Sequence, residues 1–98
     1  MIYSIYGIKY IDIFGMLIMS YFVYILQSQR DFTYYIGYSK DPALRLIKHN
    51  NSKTGYTATK GPWKLVYTEE FITKSEAIKR EKFLKRQKNT TFYKKLIS

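Results

Sequence analysis

Residues Tyr21 to Tyr38 read YFVYILQSQRDFTYYIGY. β-branched and aromatic side chains fill both ends of this stretch, and a polar tetrad, Ser28 to Asp31, divides it. Tyr21 to Gln27 is therefore expected to be a largely buried strand, with Tyr34 to Tyr38 folded back antiparallel against it. Gly37, inside the second run, implies a bulge or the close approach of another group.

Working outward, Asp41-Pro42 is a helix start, an acidic N-cap followed by proline at the first helical position. The helix is read as carrying Leu44 and Ile47 inward, with Arg45 and His49, four residues apart, sharing another face. Asn50 to Gly61 is polar and contains two glycines, which reads as an exposed loop. Pro62-Trp63 opens a third strand reaching Phe71, with Leu65, Tyr67 and Phe71 in alternation. Thr73 and Glu76 match a capping box, and the helix behind them is predicted to end near Gln87. Asn89-Thr-Thr interrupts it, and Phe92 to Ile97 reads as a short closing helix. This order implies an α+β fold, a small three-stranded antiparallel sheet flanked by helices.

At 98 residues the chain is expected to hold one domain, with residues 21–98 forming it and 1–20 an apolar extension. Lys9 and Asp12 interrupt that extension, so its apolar runs fall short of the ~18 to 20 apolar residues of a membrane span. It is either an added strand or flap, or a start placed too far upstream of Met19. Cysteine is absent and histidine occurs once, which excludes disulfides, thiol nucleophiles, thiolate zinc sites and any metal site needing two imidazoles. The missing cysteines fit a cytoplasmic protein.

The formal net charge is +10, and between Lys74 and Lys95 nine basic residues face two acids. A polyanionic partner follows, nucleic acid rather than a membrane surface. The acids then sort by position. Asp12 belongs to the extension, Asp31 to the turn, Asp41 and Glu76 to helix starts, and Glu69 and Glu70 to a strand. Glu81 differs, because its spacing from Ala77 and Leu84 puts it on the apolar stripe of its helix. A carboxylate there needs an ion-pair partner such as Arg45, or a metal.

Taken together, these residues carry a resemblance. Phe22-Val23-Tyr24 followed by Tyr35-Ile36-Gly37 resembles the paired motifs of the GIY-YIG nuclease superfamily. Arg45 and His49 match its first-helix pattern, and Glu81, within Lys79-Arg-Glu-Lys82, matches its helix glutamate. The likeness spans Tyr21 to about Lys95 and is strongest to the small single-domain bacterial members. It departs in two places. Phe22 stands where the name-giving glycine belongs, and the late asparagine of many relatives has only Asn89 as a candidate, by proximity.

The resemblance implies a metal-dependent endonuclease that hydrolyses nucleic-acid phosphodiesters, DNA by expectation, leaving 5′-phosphate and 3′-hydroxyl ends. By the same transfer, Glu81 holds one Mg2+ (or Mn2+) ion and Tyr24 is general base, assisted by Tyr35. Arg45 contacts the scissile phosphate, and His49 positions nucleophile or phosphate. No small-molecule cofactor and no membrane are implied; the oligomeric state stays open. Lys53, Tyr56 and Lys60 in the loop, with Lys79, Arg80, Lys82, Lys85 and Arg86 on the basic helix, are the expected nucleic-acid contacts. A free phenol titrates near ~10, so a tyrosine base predicts cleavage that accelerates to at least about pH 8 to 9. The alternative of another class is a nucleic-acid-binding module that keeps the fold without cleaving.

Overall fold

The computed structural model describes residues 8–11 and 17–98. Asp12 and the remainder of residues 1–16 lie outside them, so the readings placed there stay expectations. The first two strands, β1 (Ile8–Ile11) and β2 (Leu17–Met19), pair antiparallel as a two-stranded sheet of their own.

The expected three-stranded sheet is built from β3 (Tyr21–Ser28), β4 (Tyr34–Ser39) and β5 (Trp63–Phe71), all antiparallel, in the order β4-β3-β5. β3 is central because its side chains suit burial on both faces: Val23, Tyr24, Ile25 and Leu26 are all buried. Val23 and Ile25 face one layer with Ile36, Ala77, Leu84 and Tyr93. Tyr24 and Leu26 face the other with Trp63, Tyr35, Leu46 and Leu65. The helices α1 (Pro42–Asn50) and α2 (Tyr56–Lys60) belong to this second layer; α3 (Lys74–Gln87) and α4 (Thr90–Ile97) cover the first.

Helix boundaries follow their caps. Asp41 Oδ1 accepts from the Leu44 amide at 3.1 Å, and Pro42 occupies the first turn. Thr73 Oγ1 accepts from the Glu76 amide at 3.2 Å and donates to its carboxylate at 2.9 Å. The predicted interruption at Asn89 is itself a cap, its Oδ1 accepting from the Thr91 and Phe92 amides. α4 therefore begins two residues earlier than read.

Three sequence expectations are corrected. Leu44 and Ile47 do not point inward; they are 47% and 56% exposed. α1 instead turns Pro42, Leu46 and the half-buried pair Arg45 and His49 toward the sheet. The reason lies in the surface beneath, which offers the phenol of Tyr24 and so favours a polar partner over an aliphatic one. Second, the loop from Asn50 to Gly61 contains α2, whose five residues are too few to show a helical period. α2 is held by tertiary bonds: Trp63 Nε1 donates to the Thr57 carbonyl at 2.9 Å, and the side chain of Asn50 pairs with both backbone groups of Trp63. Third, the alternation of Leu65, Tyr67 and Phe71 is broken. The β3–β5 register shifts between Ile25 and Leu26, so Leu65 packs toward α1 while Tyr67 and Phe71 pack toward α3. One extra residue reverses the facing of everything beyond it.

Candidate active site and nucleic-acid interface

Where β4 ends and the chain turns into α1, a cleft of about 630 Å³ opens at the outer edge of the sheet. Tyr24, Tyr35, Arg45 and Glu81 all line it, together with Gly37. Four of the five expected catalytic residues thus meet in one place. They come from β3, β4, α1 and α3, and the cleft gathers side chains from both layers because β4 is an edge strand.

His49, the fifth, sits behind Tyr24 instead of in the lining. Its Nε2 lies 3.0 Å from the Tyr24 hydroxyl, and its Nδ1 lies 3.2 Å from Thr57 Oγ1. A neutral imidazole offers one donor and one acceptor, so Tyr24, His49 and Thr57 form a chain with two possible proton arrangements. Burial lowers the His49 pKa below its ordinary value, and the nearby cations Arg45 and Lys48 push the same way. The ring is therefore neutral at pH 7.

Tyr24 is 1% exposed, and burial pushes its phenol well above the usual value. The charge on neighbouring Tyr35 adds to this, Arg45 opposes it, and Glu81 raises it further. Burial thus outweighs the guanidinium of Arg45.

Gly37 has its own reason to be there. A Cβ at this position would lie 2.5 Å from the Tyr24 hydroxyl oxygen and 2.7 Å from Cζ. The close approach inferred from sequence is this phenol, packed against bare backbone; the β3–β4 pairing is regular through Gly37. The missing side chain is also what leaves Tyr24 reachable from the cleft.

Glu81 is 13% exposed. The partner its position suggested, Arg45, is not the one it takes: Lys85 Nζ lies 3.3 Å away, one turn on. Such an i,i+4 pair contributes only about 0.3 to 0.5 kcal/mol, too little to account for placing a carboxylate on the sheet-facing side of a helix. Among the described residues no cluster of three or more His, Asp or Glu side chains forms a larger metal site. Asp41 also lines the cleft, but its Oδ1 is engaged as the α1 N-cap. A single carboxylate such as Glu81 fits a hard divalent ion that keeps most of its water shell, and this donor set would suit no softer metal.

The expected nucleic-acid contacts are sorted less evenly. Tyr56 is exposed and stacks on Tyr35, with centroids 6.4 Å apart and planes at 26°. Lys53, Lys79, Lys82 and Arg86 are exposed, and Lys85 flanks Glu81. Lys60 is held by Asp31 at 2.6 Å and sits over the Tyr56 ring. Arg80 is turned toward β5, bound to Glu69 at 2.8 Å and lying over Phe83. Both are therefore already engaged. Asn89 lies outside the cleft lining, its side chain occupied as the α4 cap.

Lys40, Lys48 and Lys74 line the cleft; sequence reading passed over the first two and counted Lys74 only within the basic run. A signal existed for two of them: Lys48 stands three residues from Arg45, and Lys74 seven from Glu81, so each shares a helix face with a recognised residue. Lys40 had none, since only the turn into α1 brings it round. Among the described residues, no helix is long and apolar enough to cross a membrane.

The chain is similar to several known proteins. A UPF0213 protein of Staphylococcus epidermidis is 52% identical over 62 residues, covering 62% of this chain and 74% of that protein. One from Streptococcus pneumoniae is 44% identical over 68 residues, 68% of each chain. The solution NMR structure of a UPF0213 protein from Bacillus halodurans superposes with a TM-score of 0.50 at 35% identity, over 81% of this chain and 83% of that one. Residues 20–95 match the family described as the GIY-YIG catalytic domain, and the chain belongs to that family.

Proposed function

We propose that this protein is an endonuclease that hydrolyses phosphodiester bonds in DNA and leaves 5′-phosphate and 3′-hydroxyl ends, acting in the cytoplasm on single-stranded, branched or damaged forms. The observation that carries the reading is the meeting of Glu81, Arg45, Tyr24 and Tyr35 in one cleft rimmed by lysines. A binding module has no use for a carboxylate among its phosphate contacts, where it repels the ligand.

Glu81 is the residue that would hold the single Mg2+ or Mn2+ ion. When bound, such an ion polarises a phosphoryl oxygen and offsets charge on the leaving oxygen. Arg45, planar and always charged, grips the scissile phosphate with two parallel hydrogen bonds. Lys40, Lys48 and Lys74 hold the flanking backbone as point charges. Tyr24, reached over Gly37, takes the proton of the attacking water as its phenolate. His49 is the positioning residue: Thr57 donates to Nδ1, and Nε2–H donates to the Tyr24 oxygen, which steadies the phenolate and leaves its reactive lone pair facing the cleft. Tyr35 packs edge-on to the His49 ring, with centroids 4.8 Å apart, and fixes its orientation.

The pH dependence follows with its sign. Burial lifts the Tyr24 pKa above its ordinary value, so phenolate is scarce at neutral pH and grows tenfold per unit throughout the range below that pKa. His49, already neutral, adds no break above about pH 6.5. The single-turnover rate is expected to climb without levelling from pH 7 to 9. A flat profile over that range, with chemistry limiting, would mean that the proton passes to His49 in its other tautomer and would remove the phenolate from the mechanism.

The direct test is a cleavage screen over single-stranded, duplex, flap and junction DNA, with and without magnesium. Nicked product that T4 DNA ligase reseals is the expected result, since ligation needs the ends named above. Binding to these substrates with no magnesium-dependent cleavage of any of them would favour the non-cleaving module.

A further inference from the structure

Phe32 has two unfavourable features at once. The residue is 68% exposed, and its backbone is left-handed, with φ 65°. The turn from β3 to β4 requires that conformation, since the Phe32 amide closes onto the Ser28 carbonyl at 3.0 Å. Glycine or asparagine meets such a requirement without strain, whereas a bulky aromatic residue at positive φ is uncommon. Neither the fold nor solubility explains a phenylalanine here. Strain of this kind is concentrated at functional positions.

The surroundings indicate what the ring is for. Phe32 lines a second groove, of about 390 Å³, with Tyr34, Lys88 and Lys94. Among the described residues, the remaining left-handed position outside glycine is Lys88, with φ 45°, and it faces the same groove. Neither Lys88 nor Lys94 has a carboxylate partner among the described residues. The groove's acid, Asp31, is bound by Lys60 and by the Thr33 hydroxyl and amide, so its charge is largely compensated. An exposed aromatic side chain sharing a groove with two uncompensated lysines is the minimal arrangement for stacking a base while holding its phosphates.

The groove is also placed in line with the cleft. The two sit at opposite ends of the same seam, where α3 packs beside the edge strand β4. Tyr34 opens β4 at the groove and Ser39 closes it at the cleft. Along α3, Glu81 lies in the cleft and Lys88 caps the helix at the groove. Lys85 falls between them, and the intervals of four and three residues align all three on one side of the helix. Seven residues of helix span roughly 10 Å, a distance that a strand of a few nucleotides covers.

We propose that single-stranded DNA leaving the cleft continues along the β4–α3 seam and stacks an unpaired base on Phe32, with Lys85, Lys88 and Lys94 on its phosphates. Duplex DNA, whose bases are already stacked, gains nothing from Phe32. The site therefore confers a preference for a single-stranded tail beside the scissile bond. This rests on the nuclease reading for its direction, but its test does not depend on cleavage.

The test uses Phe32→Gly and Phe32→Trp, with fluorescence anisotropy in EDTA on a single-stranded 12-mer, a single-stranded trimer and a blunt duplex. Phe32→Gly suits the left-handed backbone and should fold at least as stably as wild type. Its affinity for the 12-mer is expected to fall about tenfold, within the range for one base–aromatic stack, with the trimer and the duplex unchanged. Phe32→Trp should bind the 12-mer at least as well as wild type, and its indole fluorescence should be quenched by the oligonucleotide. Unchanged 12-mer affinity in Phe32→Gly, or an equal loss on duplex, overturns the proposal. Separate magnesium-dependent cleavage by wild type shows whether the nuclease reading stands, so either can fail while the other survives.

Discussion

Replacing Glu81 with Gln is expected to abolish magnesium-dependent nicking, lowering the single-turnover rate by about 10³-fold or more, while the protein folds and binds DNA as before. The magnitude follows from the charge stabilisation that a bound divalent ion supplies, several kcal/mol, at about 1.4 kcal/mol per tenfold. Glutamine keeps the shape and most of the packing of a side chain that is 13% exposed. The ion pair lost with Lys85 contributes only a few tenths of a kcal/mol, so the thermal midpoint should hardly move. Affinity for DNA in EDTA should stay the same or rise, because a negative charge leaves a cleft that also contains Lys40, Arg45, Lys48 and Lys74. Nicking kinetics against a magnesium titration, read beside anisotropy binding, check each part. A Glu81→Gln protein that cleaves at the wild-type rate would place the metal elsewhere.

Gly37→Ala should produce the second large effect, from a single methyl group. The added carbon would stand 2.5 Å from the Tyr24 oxygen and 2.7 Å from Cζ, well inside contact distance. Tyr24 cannot swing away freely, since its ring is buried between Leu26, Tyr35 and Trp63 and its oxygen is bound to His49 at 3.0 Å. Either the ring shifts and the Tyr24–His49 bond breaks, or the two strands separate locally. Overpacking of this kind destabilises by about 1 to 3 kcal/mol, and loss of a positioned base lowers the rate by about 10²- to 10⁴-fold. Tyr24→Phe makes the instructive comparison. It removes the hydroxyl without crowding, so it should match Gly37→Ala in activity but not in its loss of stability. Denaturant midpoints and single-turnover rates for the pair check this. Wild-type activity in Tyr24→Phe would remove the phenol from the chemistry altogether.

Much of this site was legible in sequence because its parts are local signals. Tyr24 and Tyr35 sit in strands that their neighbours specify by β-branching and aromatic content. Glu81 was conspicuous because a carboxylate interrupts an apolar stripe, and that stripe does face the sheet. Gly37 announced a close approach inside a strand, and the structure names the group that approaches.

What misled was the one-helix view of α1. Leu44 and Ile47 are two of its three large apolar residues, and amphipathic reading turned those two inward, whereas Leu46 is the one packed against the sheet. The sheet beneath has a buried phenol to satisfy, and the energetic weight of leaving a polar group unpaired favours facing it with His49 instead. That preference cannot be read from α1 alone, because it belongs to β3. The short helix α2 escaped for a related reason, being held by Asn50 and Trp63 rather than by its own five residues.

The sequence by itself determined the long elements, the antiparallel sheet, the strong positive charge and the identity of the chemical groups. Each of these depends on periodicity, capping or net charge, which are properties of neighbouring residues or of simple sums. Only the tertiary structure decided which groups share a cleft, which lysines line it and which are consumed in ion pairs, and that His49 stands behind Tyr24. Those outcomes depend on strand register, on the extra residue in β5 and on the turn into α1. Each sets distances between residues far apart in the chain, and no local pattern records such distances.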